Sequence, residues 1–272
     1  MLAMKKRLDV LLVERQLADT REKAKRMVMA GLVFSEQQRL DKPGVKVDET
    51  IPLHVRGKTL PYVGRGGLKL EKALDHFSIN LKNRIMIDVG SSTGGFTDCA
   101  LQHGAQLCYA IDVGYNQLDW KLRNDNRVIV MERTNFRYVS PDMIKHGWPD
   151  FATIDVSFIS LKLILPVLNK LLKAGSDVIA LIKPQFEAGR DRVGNKGIVR
   201  DKMVHLKVLK EITHIALEEG YQLLDLTYSP ITGGDGNIEF LAHWGWQKDK
   251  AGLNMGDAEL KQLVEKAHHT FQ

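Results

Sequence analysis

Four hydrophobic runs of this sequence each close on a charged residue. "RIMIDV" carries Asp88, "YAID" ends at Asp112, "TIDV" carries Asp155 and "DVIALIK" ends at Lys183. Acids and an amine at the carboxyl ends of parallel strands line the crevice where open α/β sheets take their ligands. In such a place a lysine whose charge is disfavoured by burial or by another cation accepts a proton. A carboxylate beside it orients the amine or faces a cationic ligand. Capping a helix or pairing with a neighbour is the plain alternative for any one of the four.

Asp88 leads into Gly90-Ser91-Ser92-Thr93-Gly94-Gly95-Phe96. A dinucleotide fingerprint reads G-x-G-x-x-G after the first strand, and here its middle glycine is missing. The Gly-Lys-Ser/Thr ending of a nucleotide-triphosphate loop is absent as well. An acid just before the turn repels phosphates and suits a cofactor with a positive end. S-adenosylmethionine is such a cofactor, with a cationic sulfonium and α-ammonium and no phosphate. Asp88 would face its amino acid end, and the small residues 90–95 would let the backbone come close. Asp112 follows Asp88 by 24 residues and is placed to bond two ribose hydroxyls. A tight glycine turn in another α/β enzyme is the alternative.

These residues need a scaffold, and the chain supplies one by alternation. From "LKLEKALDHF" onward, apolar strands ("RIMIDV", "QLCYAIDV", "RVIVM", "DFATIDV", "DVIALIK") alternate with helical patterns, including "LKLILPVLNKLLK" and a long helix near 201–219. That pattern predicts a Rossmann-like, doubly wound α/β sheet covered on both faces. "YQLLDLTYS" and "NIEFLAHW" have no helical pattern between them and predict an antiparallel ending. A last amphipathic helix is expected near 256–269. Residues 67–272 thus form one domain.

Residues 1–56 read as a separate small α+β unit, and residues 57–66 as a Gly/Pro linker. "KRLDVLLVERQLA" has leucines at helical spacing, Thr20 caps "REKAKRMVMAG", and short β pieces follow. The whole chain carries a formal charge of +6, and five of those charges fall within residues 1–60, which hold 13 Lys/Arg against 8 Asp/Glu. Such a focus suits a polyanion. Lys5, Lys6, Arg7, Arg21, Lys25 and Arg26 are the candidates to grip phosphates, with Arg65 of the linker as a contact beside the catalytic mouth. A solvated helical surface is the plain alternative for these charges.

Several classes are disfavoured. No apolar run reaches the roughly 18 residues of a membrane span, and the N-terminal apolar stretch is too short for a signal peptide. The two cysteines, Cys99 and Cys108, make no disulfide framework and read as core residues. A cytoplasmic protein is the expectation. His and Cys show no zinc spacing, so no metal is expected. His103, His146 and His243 read as ordinary surface or interface residues, and Phe158 either as a stacking partner for a splayed base or, the reading preferred, as a packing residue. "EAGRDRVGNKGIVR" after Lys183 reads either as a flap over substrate or as a plain surface loop.

Several motifs then fall together. "RLDVLLVERQLADTREKAKRMVMAGLV" resembles an S4 RNA-binding domain. "YVGRGGLKLEKAL", "DVGSSTGGFTD", "TIDVSFISL", "LIKPQFE" and "GGDGNIEF", in that order, resemble the TlyA family, often labelled hemolysins, with a methyltransferase domain of the FtsJ type. The resemblance implies an S-adenosylmethionine-dependent 2′-O-methyltransferase acting on cytidine in ribosomal RNA or ribosomal subunits. It also implies a catalytic Lys-Asp-Lys-Glu set at Lys69, Asp155, Lys183 and Glu239. Lys183 would be the base or the oxyanion partner, and Asp155 would orient it. Lys69 would hold a phosphate or the developing alkoxide, fixed by Glu239. The adenine-contact stretch reads Asn135-Phe136-Arg137 where the family usually has Asp-Phe-Arg. In the S4 part, Ser35-Glu36-Gln37 replaces the usual Asn-Gly turn. The rival classes are a membrane-acting hemolysin, an RNA-binding assembly factor without catalysis, and an oxidoreductase.

Overall fold

The computed structural model describes residues 5–56, 60–194, 197–233, 236–249, 252–253 and 255–271. Linker residues 57–59, residues 195–196 of the loop after Lys183, and residues 234–235 of the "GGDGNIEF" string lie outside that set. The chain divides into two compact units, Met1–Gly67 and Leu68–Gln272.

The first unit carries β1 (Lys5–Arg7), α1 (Leu8–Glu14), α2 (Arg21–Met29), β2 (Val33–Ser35), β3 (Gln38–Arg39), β4 (Lys46–Asp48) and β5 (His54–Val55). Its core is Leu8, Leu12, Ala18, Ala24, Met27, Val28 and Val33. Thr20 caps α2 by accepting from the Lys23 amide at 3.1 Å, which satisfies an orphan donor of the first turn. The β2–β3 hairpin closes around Glu36 and Gln37, with Ser35 opposite Gln38 and Glu36 at φ +54°. Without Asn-Gly the turn still forms, at a left-handed position that glycine would take with less strain.

The second unit follows as α3 (Gly66–His76), β6 (Ile85–Val89), α4 (Gly95–Gln102), β7 (Leu107–Ile111), α5 (Trp120–Arg123), β8 (Val128–Met131), β9 (Phe151–Ile154), α6 (Leu165–Leu168), β10 (Ser176–Ile182), α7 (Pro184–Glu187), α8 (Lys202–Glu218), β11 (Tyr221–Tyr228), β12 (Phe240–Trp246) and α9 (Asp257–Phe271). The seven strands form one sheet in the order β11-β12-β10-β9-β6-β7-β8. β12 is antiparallel to both β10 and β11, and the β10-β9-β6-β7-β8 pairs are parallel. The doubly wound sheet and its antiparallel ending match the sequence pattern. Strand order reverses between β6 and β9, and ligands of open sheets bind outside the carboxyl ends at such a switch point. Tyr109, Phe151, Tyr221, Phe240 and Trp244 are fully buried in the sheet's packing.

One helix differs from expectation. "LKLILPVLNKLLK" is a 3₁₀ turn, Leu161–Leu163, followed by the short α6. Pro166 in its midst lacks the amide for a continuous ladder. No helix among the described residues is long and apolar enough to cross a membrane.

Candidate active site

The residues that gather at the crevice sit one position beyond their strands. Asp112 follows the end of β7, Asp155 that of β9 and Lys183 that of β10, while Glu239 precedes the start of antiparallel β12. Ile182 is paired with Phe240, so Lys183 and Glu239 leave neighbouring strands at the same edge. Two ion pairs result. Lys183 Nζ lies 2.5 Å from Asp155 Oδ1 and donates to Ser157 Oγ at 3.2 Å. Lys69 Nζ, from α3, donates to Glu239 Oε2 at 2.6 Å. Lys69, Lys183 and Glu239 are buried, and Asp155 is partly open to solvent.

Asp155 of the first pair also lines a cavity of about 380 Å³, together with, among others, Gly90, Ser92, Asp112, Asn135 and Phe136. That volume is within the range of small-molecule sites. Gly90 has φ +87°, and a Cβ there would meet the Asp155 carbonyl at 2.6 Å. Only glycine therefore lets β6 and β9 end so close together. Asp112 faces the cavity with its carboxylate set by two backbone donors, Ser92 N at 2.8 Å and Gly114 N at 2.7 Å. Each oxygen keeps a lone pair for a further donor. Asn135 and Phe136 also line the cavity. The Asn135 Oδ1 accepts from Arg137 N at 3.2 Å, so it caps its own turn.

Several expected contacts fall elsewhere. Asp88 is a correction. It lies inside β6, fully buried, and accepts from Thr97 Oγ1 at 2.7 Å and Thr153 Oγ1 at 2.8 Å. It fastens the strand to α4 and β9 beneath the turn and is absent from the cavity wall. Burial, only partly opposed by the two hydroxyls, pushes its carboxyl up to about 6. Gly90 and Ser92 of the turn line the cavity, and Ser91, Thr93, Gly94, Gly95 and Phe96 complete the turn that leads into α4. Gly94, at φ +93°, starts α4 against Leu118 and Leu122, and Phe96 is buried.

Other residues depart from expectation. Phe158 is 91% exposed and stands at φ +63°, a region that bulky residues rarely enter. It lines both the cavity and a neighbouring hollow, with its ring 4.9 Å from that of Phe186. It is therefore displayed rather than packed away. His243 is buried and bonded to Asp177 Oδ1 at 2.7 Å, within a cluster that includes Arg84 and Lys248. Cys99 and Cys108, by contrast, are buried as expected and are not joined in a disulfide.

Three supporting residues escaped the sequence reading. Glu132 accepts from Arg123 at 2.7 Å and from the Gln117 amide at 3.0 Å, and so fixes a loop on the cavity wall. The Arg123 guanidinium is the main reason its carboxyl is held at about 2. Glu187 accepts from Ser160 Oγ and the Leu161 amide, which ties the segment after Asp155 to α7. Burial raises its carboxyl. Asn237 donates to Gly197 O at 2.9 Å and accepts from Val199 N at 3.0 Å. The loop after Lys183 is thus anchored two residues from Glu239. Glu187 and Asn237 fall within "LIKPQFE" and "GGDGNIEF", but their roles, like that of Glu132, rest on long-range pairing that no local spacing marks.

In the first unit, Lys5, Arg7, Arg21 and Arg65 are exposed and Lys6, Lys25 and Arg26 are half-buried. Lys6 is paired with Glu14 at 2.9 Å. Arg7 and Arg21 both bond the buried Asp9, whose carboxyl is raised by burial but more strongly lowered by the two guanidiniums, to about 2.

Fold and site together define an FtsJ-like methyltransferase. The FtsJ-like methyltransferase family model matches residues 62–246, and the S4 domain model matches residues 6–50. A Bacillus subtilis (strain 168) protein named "Putative rRNA methyltransferase YqxC" is 62% identical, covering 100% of this chain and 97% of that protein. The Mycobacterium tuberculosis protein "16S/23S rRNA (cytidine-2′-O)-methyltransferase TlyA" is 39% identical over 92% of this chain and 93% of its own. A solved structure, "Putative hemolysin from Streptococcus thermophilus", superposes with a TM-score of 0.78 at 54% identity, covering 98% of this chain and 97% of that one. The chain belongs to the TlyA family of S4-bearing, FtsJ-like methyltransferases.

Proposed function

We propose that this enzyme transfers a methyl group from S-adenosylmethionine to the ribose 2′-hydroxyl of a cytidine in ribosomal RNA. The observation that carries the proposal is the pair of lysine–carboxylate bonds, Lys183–Asp155 and Lys69–Glu239, at the ends of neighbouring strands, with Asp155 on the cavity wall. The donor is the cofactor of this methyltransferase fold, and its bound form supplies an activated methyl on a cationic sulfur. The cavity residues fit it. Asp112 offers free lone pairs for ribose hydroxyls, Phe136 and Asn135 provide a flat wall for adenine, and Asp155 sets a carboxylate near the cationic end.

The protein's own work is positioning and proton transfer. A hydroxyl becomes a good nucleophile as its proton leaves, and Lys183 is the group placed to take that proton or to steady the oxyanion. Asp155 and Ser157 fix the position of its Nζ. Lys69, held by Glu239, gives a second cation for the alkoxide or the adjoining phosphate. A ribose inside a stacked helix is hard to reach, so the cytidine is turned outward, with the displayed Phe158 as its stacking partner. The basic face of the first unit grips RNA phosphates, and the enzyme acts where ribosomes are, in the cytoplasm.

The test is a tritium-transfer assay on purified 30S and 50S subunits, followed by mass spectrometry of the digested nucleosides. Label in 2′-O-methylcytidine is expected. Label confined to bases, or none with cofactor bound, overturns the reading. Leakage of liposomes with no methylation would favour the hemolysin class instead.

A further inference from the structure

A basic surface meant for RNA has little reason to bury an acid, yet the first unit buries Asp9 completely. Its carboxylate is saturated. Oδ1 accepts from Arg7 Nε and Val10 N, each at 3.0 Å. Oδ2 accepts from Arg7 Nη2 and Arg21 Nη2, each at 3.0 Å. Four donors fill the roughly four acceptor sites of a carboxylate, so nothing of Asp9 remains for a ligand. The two guanidiniums are in the opposite condition. Their side chains are 45% and 50% exposed, and of the five N–H groups on each, Arg7 commits two and Arg21 one to the carboxylate.

The surroundings complete the arrangement. Asp9 N donates to Pro43 O and Leu8 N to Val45 O, which lays the 43–45 turn against the start of α1. Gly44 leaves room for the Arg7 guanidinium, since a Cβ there would lie 3.2 Å from Nη2. Lys46 stands opposite Arg7 in the β1–β4 ladder. Arg7 comes from β1 and Arg21 from the first turn of α2, and one acid holds both.

We infer that Asp9 is a positioning residue: it locks Arg7 and Arg21 into a two-pronged site for an RNA phosphodiester, and their remaining N–H groups point outward to receive it. The inference deepens the RNA reading above and rests on it. Planar guanidiniums recognise phosphate by paired N–H groups in fixed geometry. Two free arginines would each lose rotamer freedom on binding; two already clasped have lost it in advance.

Charge counting and positioning give opposite signs here. If Asp9 only offset positive charge, Asp9→Asn would strengthen RNA binding. If Asp9 positions the arginines, the same change weakens binding although it adds net positive charge. With the full chain and purified 30S and 50S subunits, Asp9→Asn is expected to raise KM for the subunit about tenfold, the scale of re-ordering two long side chains. The kcat at saturating subunit should stay within about twofold, and the salt dependence should keep its slope, because the phosphate-facing cations are unchanged. Unchanged or tighter binding overturns the inference.

A second variant covers loss of folding. Arg7→Lys with Arg21→Lys keeps both charges and removes the fork, and it should weaken binding to a similar degree. Adding Asp9→Asn to it should bring little further loss. Undiminished binding by the lysine pair overturns the inference whatever Asp9→Asn does. If the wild-type chain shows no salt-dependent binding to subunits or to protein-free ribosomal RNA, the RNA reading falls and the inference with it. Wild-type binding with undiminished Asp9→Asn binding sinks the inference alone.

Discussion

Gly233 offers the sharpest test of the site, because its missing side chain is what lets Glu239 reach Lys69. A Cβ built on Gly233 would meet Glu239 Oε1 first and would lie 2.7 Å from the carboxyl carbon behind it. Carbon atoms rest at about 3.5 Å or more, so in Gly233→Ala the carboxyl group must retreat by at least roughly 0.8 Å, and by more to clear Oε1. Glu239 has little freedom to do so. It is buried, bonded to Lys69 at 2.6 Å and to Gln185 Nε2 at 3.3 Å. Its backbone is tied to Ser229 at 2.8 Å.

Overpacking a full site costs about 1–3 kcal/mol of stability, which for a unit of this size lowers Tm by roughly 2–12 °C. The larger effect is on rate. Misplacing a reacting group by about 1 Å costs on the order of 100-fold, so Gly233→Ala should lower kcat by about that factor while the protein stays folded at 25 °C. The assay is single-turnover methylation of ribosomal subunits, with circular dichroism melting on the same samples. Gly256→Ala is the control, since a Cβ there meets only Glu259 Oε2 at 3.8 Å. If Gly233→Ala keeps kcat within threefold of wild type, the Lys69–Glu239 pair is not part of the catalytic arrangement.

Three further outcomes are expected. Lys183→Ala should reduce methyl transfer by at least about 100-fold while calorimetry still registers cofactor binding; wild-type turnover would remove Lys183 from the reaction. Phe158→Ala should leave Tm and cofactor affinity in place and lower kcat/KM on subunits about tenfold, the scale of one lost base stack; an unchanged kcat/KM would return Phe158 to a surface role. The third concerns His205 and His268, whose Nδ1 and Nε2 lie 2.9 Å apart, with His205 Nε2 3.2 Å from Val199 O. Burial and the neighbouring His268 hold His205 down at about 4, and burial also lowers His268. Depressed histidines favour the neutral form in the fold, so their contribution is complete above the unfolded value of 6.5 and fades as pH falls towards 4. Melting curves from pH 7.5 to 4.5 should show that loss, and His205→Gln should flatten it; an equal slope in the variant would assign the acid lability elsewhere.

Much of this was legible in the sequence because strand ends and glycine turns are local signals. The alternation after residue 67 gives the sheet, and the charged residues that close the hydrophobic runs mark its working edge. What was not legible depends on direction and distance. Phe158 follows a strand end and looks like ordinary packing, since a left-handed φ leaves no mark in the letters. His243 looks like a surface residue until β10 brings Asp177 beside it. "LKLILPVLNKLLK" has helical spacing, but Pro166 interrupts its ladder. Gln185, Glu187 and Asn237 act through partners 26 to 54 positions away, and no spacing rule points to them.

The three aspartates at the strand ends show how small a difference decides a residue's task. Asp112 and Asp155 each stand one residue past the last residue of their strand, whereas Asp88 is the penultimate residue of β6. A residue past the strand is free of the pleat and opens to the crevice. A residue within it must point to one face of the sheet, and the face that Asp88 meets is occupied by α4. There, two threonines take its oxygens, no cation is bonded to it, and its proton is held more tightly. An acid in that position cannot serve a cationic ligand by contact. It can serve by holding β6, β9 and α4 in the geometry that brings Gly90 against Asp155. A close approach of those two strand ends is what puts Asp155, the partner of Lys183, at the cavity wall. Asp88 and Gly90 are therefore two parts of one device: the acid fixes the layers from inside, and the glycine removes the side chain that would hold them apart.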